Sequence, residues 1–131
     1  MSDTALTFSY DLDYRPALPI VEISVSSLNL DKGEIVLSAI VDSGSDVTLI
    51  PVASLRKIGG ASAGDAVLSE AWGTERRVGV YLTNIRVGSR VIRAVRVLGV
   101  SEGEEVILGR NVLNQLVVTL DGPGATTLIA A

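Results

Sequence analysis

Val21, Ile23 and Val25 alternate with Glu22, Ser24 and Ser26, and this period of two predicts a half-buried strand. A turn is expected at Asp31-Lys32-Gly33. Ile35 to Val41 is then nearly all apolar and rich in β-branched residues, the composition of a strand covered on both faces. The apolar run stops at Asp42-Ser43-Gly44-Ser45-Asp46 and resumes over Val47 to Ile50. From Pro51 to Ile58 a short helix is predicted, with Pro in its first turn and Gly59 as its stop. Gly59 to Gly64 contains only small residues and reads as a flexible connection. Residues 66 to 72 and 76 to 87 form two further strand candidates around Gly73-Thr74, and Gly88-Ser89 leads into a third from Arg90 to Leu98, giving a meander.

Beyond the acidic turn Ser101-Glu102-Gly103-Glu104-Glu105, Val106-Ile107-Leu108 is a second buried run that meets Gly109. Arg110 to Leu116 carries Val112, Leu113 and Leu116 at the spacing of one helical face. Val117 to Leu120 and Thr126 to Ile129 close the chain around Asp121-Gly122-Pro123-Gly124. Neither a linker nor a low-complexity segment interrupts the pattern, so one mostly β domain over residues 1–131 is expected. Two stretches, AIVDSGSDVTLIPVASL and EVILGRNVLNQLV, both run from an apolar strand into a sharp glycine-containing turn and on to an apolar segment. Two matches are too few to establish a duplication.

Composition narrows the chemistry. A chain of 131 residues buries roughly two-thirds of its unfolded surface and supports a core without staples. Cysteine is absent, which removes disulfides and thiolate metal sites. Histidine is absent too, so no Ser-His-Asp or Cys-His system can form and the usual imidazole ligands of zinc are missing. Catalysis, if any, falls to carboxylates, hydroxyls, Lys, Tyr or backbone groups, and neither a metal nor a cofactor is expected. The net charge of −4 argues against nucleic acid or an anionic membrane as main partner. The first residues, MSDTALTFSYDLDYRP, have early acids and no apolar run, unlike a signal peptide. No stretch of about 20 apolar residues occurs, so no membrane span is predicted, and a cytoplasmic location is expected.

The residue types of the polar pentapeptide at 42–46 occur in several chemistries. An EF-hand loop places Gly sixth and Glu twelfth, where this chain has Val47 and Ala53. A P-loop needs a Gly-Lys-Ser/Thr step, which is missing. A solvated β-turn fits the residue types, but Val41 and Val47 press on both sides, whereas surface turns have looser polar flanks.

Asp42-Ser43-Gly44-Ser45-Asp46-Val47-Thr48-Leu49-Ile50 resembles the active-site signature of aspartic proteases: Asp-Thr/Ser-Gly after an apolar strand, then a small residue and, in the retropepsin branch, a second Asp. Ile107-Leu108-Gly109-Arg110-Asn111-Val112-Leu113 resembles the apolar-apolar-Gly-Arg-Asn/Asp turn and helix near the retropepsin C-terminus. The likeness spans roughly residues 20 to 120, with both motifs in the right order. It implies an all-β, closed barrel-like acid protease fold with one short C-terminal helix. Pepsin-like relatives carry two active loops in one longer chain. This chain has one, which implies a homodimer of the retropepsin kind acting on a peptide or protein substrate.

The resemblance also implies roles. Asp42 of each copy would be catalytic, because hydrolysis without metal or covalent intermediate needs a base for water and an acid for the carbonyl oxygen. At about 3 Å and an effective dielectric near 20, two carboxylates repel by on the order of 5 kcal/mol and share one proton, the behaviour for which aspartic proteases are the standard case. Burial among Val41, Val47 and Ile107 is expected to support the protonated member. Ser43 would hold the two loops together by a hydrogen-bond network across the dimer. Gly44 would allow close backbone approach and a conformation closed to residues with a Cβ, and would bind substrate. Arg110 would support the loop through an ion pair with Asp46, which would also contact substrate backbone. Trp72 and Gly73, at an expected hairpin tip, would be the flap over the substrate; an exposed Trp there is costly unless it closes onto something. The competing expectation is a retropepsin-fold dimer that no longer cleaves and serves for dimerisation or peptide binding.

Overall fold

The computed structural model describes residues 5–30, 32–70 and 72–130. The strands are Leu6–Ser9 (β1), Ile20–Ser26 (β2), Glu34–Val41 (β3), Thr48–Pro51 (β4), Ala61–Ser69 (β5), Glu75–Val87 (β6), Arg90–Val100 (β7), Ile107–Leu108 (β8), Val118–Asp121 (β9) and Thr126–Ile129 (β10). Two short helices, Val52–Lys57 (α1) and Arg110–Leu113 (α2), complete the mostly β domain that the pattern predicts. Asp31 of the expected turn at 31–33 and Ala71 of the strand expected over 66–72 lie outside the described residues. No described helix is long and apolar enough to cross a membrane.

The larger sheet runs β2-β3-β8-β4-β7-β6-β5, and an additional β2–β6 pairing returns it on itself. Six strands therefore form a ring, with β5 as an outer arm on β6. The closure depends on β6, which is long enough to pair with β5, β7 and β2 along its length. A register shift between Thr83 and Ile85 bends it. Asn84 fills the bulge: its Oδ1 accepts the Ala94 N–H at 3.1 Å and its Nδ2 donates to the Ser27 and Leu28 carbonyls, each at 3.3 Å. Inside the ring lie Val21, Ile23 and Val25 of β2, Ile50, Leu55 of α1, Ile85, Val87, Val97, Leu108 and Val112. These are the inward positions of the period-two alternation, together with the buried faces of the two helices; on the other face of β2 Glu22 is exposed but Ser24 and Ser26 are buried, so the strand is not half-buried as expected. A second, smaller cluster joins Val78, Val80 and Leu98 to the half-buried Val47, Leu49, Ala66 and Leu68.

The structure departs from the sequence pattern at three further places. Residues 61–64, expected as part of a flexible connection, are the first part of β5, and Gly64 has φ +104° beside the register shift between Ser62 and Asp65. All of 61–65 are exposed; their pairing with β6 is made by backbone groups, so no hydrophobic alternation announced it. Strand β3 is not covered on both faces in one chain: Glu34, Val36 and Ser38 are exposed, while Ile35, Leu37 and Ala39 face the core. Strand β1 was not anticipated; it joins β10 and β9 in a separate sheet of order β1-β10-β9.

Strands β3 and β4 are consecutive but do not pair. Strand β8 is threaded between them, parallel to β3 and antiparallel to β4. The chain between β3 and β4, residues 42–47, must therefore arch over the end of β8.

Candidate active site

The arch carries the polar pentapeptide. It springs from β3, where Ile40 donates to the Val106 carbonyl at 2.9 Å and Asp42 N–H to the Leu108 carbonyl at 3.1 Å. Within it, Asp42 Oδ1 accepts the Gly44 N–H at 2.9 Å, and the Ser45 N–H donates to the Asp42 carbonyl at 3.1 Å. The Asp42 carboxylate is thus oriented by its own loop. Ser45 Oγ donates to the Val47 carbonyl at 2.6 Å and holds the far side of the arch.

Gly44 is tied to this geometry differently from expectation. Its φ is not in the left-handed region. A Cβ there would instead sit 3.1 Å from Asp42 Oδ1, tight against the oxygen the loop orients. The sharper demand is at Gly109, where a Cβ would lie 2.1 Å from the Val47 carbonyl oxygen and 3.0 Å from that of Ser45. Backbone meets backbone at this point, so the threading of β8 under the arch requires glycine.

Behind the arch is a polar knot that the sequence reading missed. Thr48 is fully buried; its Oγ1 donates to Asn111 Oδ1 at 2.9 Å and accepts the Gly109 N–H at 3.1 Å. Asn111 Nδ2 in turn donates to the Arg96 carbonyl at 2.8 Å, joining β4, α2 and β7. The available signals were a lone hydroxyl in the apolar run Val47-Thr48-Leu49-Ile50 and the Asn that ends the Gly-Arg-Asn turn.

Arg110 supports the arch, but its partner is not Asp46. Its N–H donates to the Ser45 carbonyl at 2.8 Å and its Nη1 to the Ser43 carbonyl at 2.7 Å. Among the described residues no ion pair joins Arg110 to Asp46. The turn leaves backbone carbonyls of the arch without strand partners, and these take the guanidinium while Asp46 faces a cleft on the other side. That cleft is lined by Asp46, Val47, β5 and, on β7, Arg96 and Leu98.

Asp42, Ser43, Gly44 and Arg110 are therefore brought together. Trp72 and Gly73 stand apart from them at the tip of the β5–β6 hairpin, where Glu70 N–H donates to the Thr74 carbonyl at 2.8 Å and Gly73 N–H to the Glu70 carbonyl at 3.0 Å. Trp72 is 95 % exposed. The tip end of this hairpin is tied sideways: Arg76 donates through both terminal nitrogens to Glu104, at 3.0 and 2.5 Å, and its Nε lies 3.2 Å from Glu70 Oε1. Glu104 also accepts the Ser101 N–H at 2.8 Å. The Arg76 hydrogen bonds hold the Glu104 carboxyl below the usual carboxylate range and raise the Arg76 guanidinium. Next to it, Tyr14 donates its hydroxyl to Glu105, which pushes the phenol up. Val41, Asp42, Val47 and Ile107 are only half-buried, and Ser43 and Gly44 are exposed, so one chain alone does not enclose the carboxylate. Among the described residues no group of three or more carboxylates is placed to hold a metal ion.

The family model described as "gag-polyprotein putative aspartyl protease" matches residues 31–115, from the turn before β3 to just beyond α2. No curated protein matches the chain. Among solved structures, a retropepsin-like aspartic protease from Rickettsia conorii aligns with a TM-score of 0.67 at 11 % identity, covering 98 % of this chain and 92 % of that one. The EIAV protease in complex with the inhibitor HBY-793 gives 0.60 at 17 %, covering 82 % and 93 %. The protease of simian foamy virus (mac) gives 0.52 at 23 %, covering 72 % and 91 %. At these identities the structural likeness is one of fold, and the family match spans the arch, the threaded strand and the Gly-Arg-Asn turn. The chain belongs to the retropepsin-like aspartic protease family.

Proposed function

We propose that the chain is an aspartic endopeptidase whose catalytic pair is formed by Asp42 of two identical copies. The observation that carries this reading is the arch itself: a carboxylate oriented by the Gly44 N–H on an exposed turn, supplied once per chain. The surface beside it favours a second copy as the cover. An apolar cleft of about 280 Å³, lined by Val41, Ser43, Leu113, Leu116, Val118 and Leu120, adjoins the arch. Val117 and Leu120 are more than half exposed, and among the described residues nothing pairs with the outer edge of β9, a combination that invites pairing.

In such a pair one proton is shared. The ionised Asp42 takes a proton from water as the water oxygen bonds to the peptide carbonyl carbon, and the protonated Asp42 of the second copy gives its proton to the carbonyl oxygen. Collapse of the tetrahedral species returns one hydroxyl proton to the ionised carboxylate, breaks the C–N bond and passes the other carboxyl proton to the leaving nitrogen. The dyad again holds one proton, and its two apparent pKa values belong to the pair. The substrate is an extended peptide held by backbone hydrogen bonds, with the Trp72 hairpin closing over it.

The test is Asp42→Asn, which keeps shape and removes the shared proton. Hydrolysis of a peptide mixture should vanish while dimer and fold persist, and wild-type activity should fall on dilution and at high pH and be indifferent to EDTA. Turnover that survives in Asp42→Asn, or an active monomer by sedimentation, defeats the reading. A wild-type protein that binds peptides and never cleaves them would favour the inactive module.

A further inference from the structure

The cleft on the far side of the arch has a volume of about 340 Å³. Its floor is the half-buried part of the smaller apolar cluster, Val47, Ala66 and Leu68 against Leu98. Its rims carry opposite charges, Asp46 on the arch and Arg96 on β7. Both side chains are exposed, and among the described residues neither makes a side-chain hydrogen bond or an ion pair, even with the other. The backbone of Arg96 is nevertheless fixed to the arch through Asn111 and Thr48. The backbone of an arginine is thus held beside an apolar floor that Asp46, four residues along the arch from Asp42, also borders, in a chain whose net charge is −4.

We propose that this cleft is a side-chain subsite that selects an acidic residue of the peptide substrate, Asp or Glu, with Arg96 as the specificity-determining residue. The proposal rests on the peptidase reading above. Side chains of an extended peptide alternate between faces every 3.3 Å or so, so the cleft receives a residue near the cleaved bond, not the flanking residue on the opposite face. The Asp46 side chain is short and set in the arch, where it meets the peptide backbone N–H; the longer Arg96 reaches into the cleft and offers a planar fork to a carboxylate. A dimer carries two such clefts related by its two-fold axis, so the acidic preference falls on both sides of the cleaved bond.

The experiment compares matched peptides carrying Glu, Gln or Lys at the position picked out by digestion of a randomised mixture. With wild type, kcat/KM for Glu is expected to exceed that for Gln by about tenfold at low salt, and the ratio to shrink as salt screens the pair. Arg96→Ala should level the two, and Arg96→Glu should turn the preference to Lys; Arg96 is exposed, so both variants are expected to fold, as a urea melt will check. Cleavage with no acidic preference, a preference for Lys in wild type, or an unchanged ranking in Arg96→Glu overturns the proposal and leaves the peptidase reading standing. Absence of any cleavage strikes the peptidase reading instead, and the subsite is then read by binding of the Glu and Gln peptides through the fluorescence of Trp72, the only tryptophan of the chain. Equal affinities there, or no binding, overturn it as well.

Discussion

Replacing Thr48 by Val is the most direct probe of how the arch is held. The two side chains have nearly the same shape, so packing around the fully buried position changes little. What is lost is the hydroxyl that donates to Asn111 Oδ1 at 2.9 Å and accepts the Gly109 N–H at 3.1 Å. The Gly109 N–H is buried, and leaving such a group unpaired costs about 1–3 kcal/mol, with about 1 kcal/mol more for the half-buried amide oxygen of Asn111. The net expectation is a loss of about 3 kcal/mol. With a urea m-value of about 1.5–2 kcal/mol/M, the unfolding midpoint should fall by about 1.5–2 M at fixed protein concentration. Thr48→Ser keeps both hydrogen bonds and loses one methyl group, so it should cost only about 1 kcal/mol. Because Asn111 also anchors Arg96, Thr48→Val should lower the proposed peptidase activity more than its folded fraction explains. A midpoint within about 0.3 M of wild type, or equal losses for Val and Ser, would refute the idea that this hydroxyl pins the threaded strand to the arch.

Three further outcomes are expected. Gly109→Ala places a Cβ 2.1 Å from the Val47 carbonyl oxygen and should cost about 3 kcal/mol or more, read as loss of soluble folded protein or a large drop in the urea midpoint; a wild-type melt would show that the backbone can part there. Arg110→Ala removes a solvent-exposed charge-assisted bond to the Ser43 carbonyl and should cost only about 1 kcal/mol of stability, with a larger effect on the proposed dimer by sedimentation; equal dimer constants would confine Arg110 to its own helix. For the hairpin tie, the folded Glu104 carboxyl lies below its ordinary value, so its stabilisation is fully present above the ordinary carboxylate pKa and is lost as pH falls through the lowered folded value. Raised, the Arg76 guanidinium stays charged throughout. The NMR shifts of the Ser101 amide, which donates to Glu104, and of the Gly73 amide at the hairpin tip should therefore hold through the usual carboxylate range and move only below it, and Glu104→Gln should remove that acid step; a step unchanged in Glu104→Gln would refute the tie.

Much of this protein is local in origin and was legible in the chain. Alternation at Val21, Ile23 and Val25 fixes which face of β2 turns inward, because side chains in a strand alternate whatever it pairs with. Asp42-Ser43-Gly44 and Gly109-Arg110-Asn111 mark the arch and the turn beneath it through their resemblance to the retropepsin signatures, and at Gly109 the close backbone approach explains the residue. Other features exist only once distant segments meet. The exposed start of β5 is a strand through its backbone pairing with β6, so its small polar residues carried no signal. The partner of Arg110 was decided by which groups the arch leaves unpaired, and threading β8 under it presented the Ser43 carbonyl, not the Asp46 carboxylate. Thr48 with Asn111, Arg76 with Glu104, and the facing of Asp46 and Arg96 across one cleft join residues 63, 28 and 50 positions apart. No periodicity encodes such pairs, since each is chosen by sheet closure and register; the sequence supplies the groups, and the topology decides which of them face each other.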